Sequence, residues 1–204
     1  MKRSLLFLVI LLASVVCAHA HVTFSGIALT GDKQSFIDQL KSKGFTYTCQ
    51  SGTKTTLEGK YKKLPCSVIV YSYSKSIDLV YKVEVITKAY TDWDELEDEF
   101  ERLEDEIKDL YGDPSSESKT IFSPFEEEDR HMQAISLGCY NYYSEWKNLS
   151  DAIIRIGIKS NGTIEIRLTD RQSENLGRKM QRGGVENAVE KTKQTIGSFF
   201  DNFK

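Results

Sequence analysis

The sequence predicts an α+β protein of two tandem helix-plus-antiparallel-sheet modules, able to share one sheet, followed by a C-terminal amphipathic helix. Three observations predict it. A helix-period segment precedes a series of strand-like runs, and that order occurs twice. No proline falls inside any of the runs. After Asp170 the composition turns polar and glycine-broken. The chain therefore divides into a leader at 1–20, modules at 21–90 and 91–170, and a helical tail at 171–204.

Val22 to Leu29 reads as a strand, and Thr30-Gly31-Asp32 turns the chain so that Asp32 caps a helix over Lys33 to Lys43. Phe36, Ile37 and Leu40 share one face of it, and Gly44 stops it. Strand-like runs follow at Phe45 to Gln50, Thr55 to Tyr61, Cys66 to Ser74 and Leu79 to Thr87. In the last, Val83 and Val85 alternate with Lys82 and Glu84, the pattern of a sheet with one dry and one wet face.

The second module opens at Thr91 or Asp92 with the clearest helix of the chain. Its apolar positions Trp93, Leu96, Phe100, Leu103, Ile107 and Leu110 step by three and four until Gly112-Asp113-Pro114 ends it. Ser123-Pro124 reads as cap and first-turn proline of a further helix bearing Phe125, Met132, Ile135 and Cys139. Strands are then expected over Tyr140 to Trp146, Ala152 to Lys159 and Thr163 to Thr169, the last two joined by an Asn161-Gly162 hairpin. In the tail, Val185, Val189, Thr192, Ile196, Phe199 and Phe203 form an apolar stripe that needs a partner surface.

Met1-Lys2-Arg3, an apolar stretch to Cys17 and the small-residue pattern Ala18-His19-Ala20 have the order of a secretory signal. Cleavage after Ala20 leaves 184 residues beginning at His21, secreted or periplasmic, with no transmembrane segment expected in the mature chain. A lipoprotein at Cys17 is disfavoured by Val16. Lys2 and Arg3 leave with the signal, so 27 basic side chains become 25 against 30 acidic ones, a formal balance of −5. That balance argues against nucleic acid as a partner. Cys49, Cys66 and Cys139 remain, an odd number, and Cys49 with Cys66 is the short-loop disulfide candidate.

The chain resembles secreted proteins of gut bacteria whose function is uncharacterised. The resemblance runs from Val22 to about Asp170 and rests on the turn Gly26 to Gly31, the helix end Lys43-Gly44-Phe45, and the helix from Trp93 to Tyr111-Gly112-Asp113-Pro114. In element order it is also similar to β-lactamase inhibitor protein and to PepSY-like periplasmic domains. That likeness implies a fold and a tendency to bind other proteins, with no binding residue carried over.

No catalytic set assembles from the sequence. His21 and His131 are the mature histidines, and Cys139 lies about two helical turns from His131. Phosphate-loop, H-E-x-x-H and Cys-x-x-Cys patterns are absent from the sequence, so no cofactor and no metal site are expected, an N-terminal His21 chelate aside. The long helix is crowded with carboxylates, which read as a solvated or docking face. The candidate binding residues are aromatic: Tyr71 and Tyr73 on one strand, Tyr140, Tyr142 and Trp146 on another, and Phe199 and Phe203 in the tail, each with core packing as the competing role. Asn148-Leu149-Ser150 and Asn161-Gly162-Thr163 also fit a glycosylation sequon.

These features favour an exported, non-enzymatic protein that binds a protein or glycan through a sheet face or the tail helix. The alternative is a glycan hydrolase of the envelope or extracellular space that uses carboxylates brought together only by folding. The export reading predicts that protein recovered from the medium or periplasm starts His-Val-Thr-Phe by N-terminal sequencing. A chain still beginning at Met1 would contradict it.

Overall fold

A computed structural model of the chain describes residues 21–185. The leader and the tail positions Val189, Thr192, Ile196, Phe199 and Phe203 lie outside the described residues. The chain is α+β, and its described residues form an eight-stranded antiparallel sheet, a two-stranded hairpin and four helices.

Val22 to Leu29 is not one strand. Ser25 (φ 51°) and Gly26 (φ 73°) fold it into a hairpin of β1 (Thr23–Phe24) and β2 (Ile27–Ala28). Helix α1 (Lys33–Ser42) starts where Asp32 accepts the Ser35 amide at 3.0 Å and buries Phe36, Ile37 and Leu40. Four strands then meander: β3 (Thr46–Ser51), β4 (Lys54–Tyr61), β5 (Leu64–Ser72) and β6 (Val80–Thr87). Lys62 and Lys63, both at positive φ, make the two-residue turn between Tyr61 and Leu64, a conformation that usually selects Asn-Gly.

Helix α2 (Trp93–Tyr111) is capped by Asp92, whose carboxylate accepts the Glu95 amide at 3.1 Å. The stripe from Trp93 to Ile107 is buried as its spacing predicts, whereas Leu110 is 68 % exposed in the last turn. Gly112 ends the helix at φ 77°, and its carbonyl accepts the Trp146 indole N–H at 2.7 Å.

The segment after α2 departs from expectation. Strand β7 (Ser116–Ile121) forms from Ser-Glu-Ser-Lys-Thr-Ile, which carries no apolar alternation because it is the sheet's edge and buries almost nothing. Ser123-Pro124 does not open a helix: its peptide is cis, and the Phe125 amide closes a turn onto the Phe122 carbonyl at 3.0 Å. Helical structure begins with the short 3-10 turn Glu128–Arg130 and continues as α3 (His131–Leu137), stopped by Gly138 at φ 74°.

Strands β8 (Tyr140–Trp146), β9 (Ala152–Ile158) and β10 (Ile164–Asp170) complete the sheet. The β9–β10 turn takes three residues, Ser160 to Gly162, because Lys159 and Thr163 still pair, with the Lys159 amide on the Thr163 carbonyl at 2.9 Å. Strand order is β3-β4-β5-β6-β10-β9-β8-β7, so the last strand of each meander meets the other's at the central antiparallel β6·β10 pair and the first strand of each, β3 and β7, lies at an edge. That pair sets Val85 opposite Ile166 and Val83 opposite Leu168.

Odd and even strand positions separate two faces. Leu57, Val68, Val83, Ile166, Ile156 and Tyr142 point inward, where α1 and α2 pack on them in one buried cluster. The other face bears Ile69, Glu84, Arg167, Arg155 and Glu145 in a row across five strands. After β10, residues 171–185 form helix α4, whose start is fixed by Asp170 accepting the Ser173 amide at 2.7 Å. The second Asp170 oxygen accepts the Val22 amide and pairs with His21, which ties the start of the described chain to the end of β10.

Candidate functional site

The outer face of the sheet is built from the polar phase of strands whose other phase is core. Register places Glu145 of β8 opposite Arg155 of β9, Arg155 opposite Arg167 of β10, and Arg167 opposite Glu84 of β6. Glu165 lies one row away between Gly157 and Ile86. Ion pairs knit this surface: Arg167 bridges Glu84 at 3.1 Å and Glu165 at 2.6 Å, Lys82 reaches Glu84 at 3.0 Å, Lys159 reaches Glu165 at 2.6 Å, and Lys147 reaches Glu145 at 2.7 Å.

The two signs of charge sit at different depths. The side chains of Glu84, Glu145 and Glu165 are 10–11 % exposed, whereas those of Arg167, Arg155, Lys159 and Lys147 are 40–58 % exposed. Short carboxylates lie against the sheet while long cationic side chains extend past them. The layer that meets solvent is therefore cationic. Arg155 differs from its neighbours: its nearest carboxylate oxygen, on Glu145, is 4.0 Å away, and its guanidinium carbon stands 4.2 Å from the centre of the Tyr143 ring.

The inner face carries the opposite charge. Helix α2 and its cap hold Asp92, Asp94, Glu95, Glu97, Asp98, Glu99, Glu101, Glu104, Asp105, Glu106 and Asp109 against Arg102 and Lys108. Glu104 is turned inward and buried, accepting from the Ser144 hydroxyl, from Lys108 at 3.1 Å and from Lys119 at 3.1 Å. Burial disfavours its charged form, but the Ser144 hydroxyl and the two ammonium groups outweigh burial and hold the carboxyl below its ordinary 4.5. Glu84 behaves alike: burial opposes ionisation, and Tyr71, Lys82 and Arg167 together still lower its pKa.

The aromatic candidates separate by face. Tyr142 and Trp146, 5 % and 1 % exposed, belong to the core: Tyr142 packs edge-on against Trp93 and Phe100 and donates to Glu97 at 2.5 Å. Tyr140 shares their inward phase and donates to the Ile158 carbonyl at 3.2 Å. Tyr142 and Trp146 are core residues, and Tyr140, partly buried, packs against the same cluster. Tyr71 is on the outer face but buried beneath Lys82, 3.6 Å from the ring centre, with its hydroxyl on Glu84. Burial and that carboxylate push its pKa up. A register shift after Tyr71 ends its alternation with Tyr73, which lies beyond β5 and packs edge-on against Tyr81. Phe199 and Phe203 lie outside the described residues.

The Cys49–Cys66 bridge does not form, and Cys49, Cys66 and Cys139 are free. Cys49 is on β3 and Cys66 on β5, with β4 between them, so their backbones stand two strand spacings apart, roughly 9.5 Å, beyond disulfide reach. Burial raises the Cys66 thiol to about 11. Among the described residues no group of three or more His, Cys, Asp or Glu side chains could hold a metal ion, and no helix is long and apolar enough to cross a membrane.

Sequence reasoning missed Tyr143, Arg155, Gly157 and Arg167. Their signal was present as the polar phase of β8, β9 and β10, but which charges meet depends on strand order. Comparison with protein-family models, curated proteins and solved structures found no match.

The Glu104 network generates a pH prediction. Its folded pKa is depressed, so its stabilising contribution is complete above 4.5 and is lost as pH falls through the folded value. Glu104→Gln should cost about 1.5–3 kcal/mol in denaturant unfolding at pH 7. The gap from the parent protein should close as pH drops below 4.5; a gap independent of pH would contradict this role.

Proposed function

We propose that the chain is an exported, non-enzymatic binding protein that recognises an anionic protein or glycan with the outer face of its sheet. In this reading the two halves are helix-plus-meander modules joined through β6 and β10, and kinship with secreted proteins of gut bacteria belongs to the same proposal. The observation that carries it is the cation layer over Glu84, Glu145 and Glu165, on a chain whose formal net charge is −3. A surface that opposes the sign of the whole protein steers a partner of complementary charge to one face.

The hydrolase alternative has less support. A glycosidic general acid needs a carboxyl held above its ordinary range. Glu84, central on this face, is held below it. Glu84 and Glu165 are also both engaged by Arg167, which disposes them toward holding cations rather than exchanging protons.

The full exported chain should be retained on a sulfonate cation exchanger at pH 7 and low salt despite its acidic balance. The triple variant R155Q/K147Q/K159Q, which leaves Arg167 on its buried partners, should flow through. Parent protein that passes unretained, or a variant retained as strongly as the parent, would overturn the outer-face reading.

A further inference from the structure

The outer face is interrupted at one point. Gly157 lies inside β9, opposite Tyr143 on one side and Glu165 on the other, and, itself buried, lines a depression of about 450 Å³ together with Tyr143, Arg155, Lys159, Glu165 and Arg167. Neither backbone nor crowding demands glycine here. Its φ is not positive, and a Cβ would meet the Tyr142 carbonyl oxygen at 3.4 Å, the Tyr143 Cβ at 3.5 Å and the Arg155 Nε at 3.9 Å, ordinary contact distances, with Arg155 and Tyr143 lying over the position. Gly59 and Gly162 contrast with it: a Cβ would meet the Phe45 ring at 2.3 Å in the first and the Tyr90 carbonyl oxygen at 2.5 Å in the second. Glycine in a strand interior weakens the strand, and the places that keep one include bulges, tight bends and sites where a ligand or another backbone comes close.

Arg155 completes the site. Arg167 spends its donors on Glu84 and Glu165, but Arg155 makes no hydrogen bond among the described residues and is 42 % exposed while positioned over Tyr143. A guanidinium so placed matches a planar carboxylate with two parallel donors. Around it, Asn141, Ser160, Lys159 and Glu165 supply the mixed donors and acceptors that hydroxyl groups need. The centre of this face is charged and holds no exposed apolar anchor of the kind that organises a protein interface. Its volume falls within the roughly 300–1,000 Å³ of small-ligand sites.

We propose that the Gly157 depression binds the carboxylate-bearing ring of an acidic saccharide, Arg155 pairing with the carboxylate and the glycine floor admitting the ring. The proposal rests on the outer-face reading and narrows it to one ligand chemistry.

The test titrates the full exported chain with trigalacturonate, its methyl ester and a hexaglutamate peptide, read by calorimetry and by amide shifts in 15N–1H spectra. Trigalacturonate should bind saturably and shift the Gly157 and Tyr143 amides. The methyl ester and R155K, which keeps the charge but loses the fork, should each bind about tenfold or more weakly. G157A should lose binding to a similar degree while its Tm stays level or rises, because alanine fits the strand and only fills the floor. Absence of trigalacturonate shifts at Gly157, or parent-like binding by both variants, overturns the saccharide site. Hexaglutamate acting at the outer face with trigalacturonate silent overturns the saccharide and leaves the outer-face reading standing. Shifts confined to α2 or α4 overturn both.

Discussion

The β6·β10 pairing is the constraint on which the rest of the molecule depends. It joins the strands contributed by the two halves into one sheet and sets Val83 and Val85 against Leu168 and Ile166 on the helix side. Because side chains alternate, the same register sets Glu84 against Arg167 on the other side. A slip of one residue would drive Arg167 into the core and turn Ile166 to water. The apolar match on the inner face therefore specifies the charge lattice on the outer one. Hydrophobic burial selects the register, and the ion pairs are arranged by it.

This arrangement separates charge through the thickness of the protein. Carboxylates crowd α2, and Glu104, turned inward and buried, is stabilised by Ser144, Lys108 and Lys119. Across the sheet, Glu84, Glu145 and Glu165 lie low and the cations rise above them. Exposed single ion pairs contribute little to stability, with a median of about 0–1 kcal/mol. A network that leaves its cations outermost has its larger effect on the potential that an approaching partner meets. Arg155, whose contact with a carboxylate is the 4.0 Å one to Glu145, stands beside Gly157, the strand position on that face that carries no side chain.

Elements with a periodic apolar face were legible in the sequence, α1 and α2 with their Asp caps and the alternating strands β4 to β6 and β8 to β10; β3, exposed throughout, was legible too, as a β-prone run between Gly44 and Gly52. The failures share a cause. Strand β7 buries almost nothing and so carries no periodic signal, and Leu110 follows the α2 stripe one turn past the end of its packing surface. Pro124, read as a helix start, sits instead in a turn closed by Phe122 and Phe125. The aromatic candidates on β8 were grouped correctly by alternation, but alternation does not say which phase a helix covers. For the site, Tyr143, Arg155, Gly157 and Arg167 come from three strands, and only the strand order makes them neighbours. Gly157 was the least visible, since its meaning lies in having room for a side chain that it does not carry.

The most direct test measures the potential at each face. Paramagnetic relaxation of amide protons by an anionic and a cationic nitroxide of equal size reports the local sign of charge without any knowledge of the partner. The anionic probe should relax amides of β9 and β10 around Arg155 and Gly157 more strongly than the cationic one, and the ratio should invert along α2. Equal relaxation at both places, or a preference for the cationic probe at β9 and β10, would contradict a cationic recognition face.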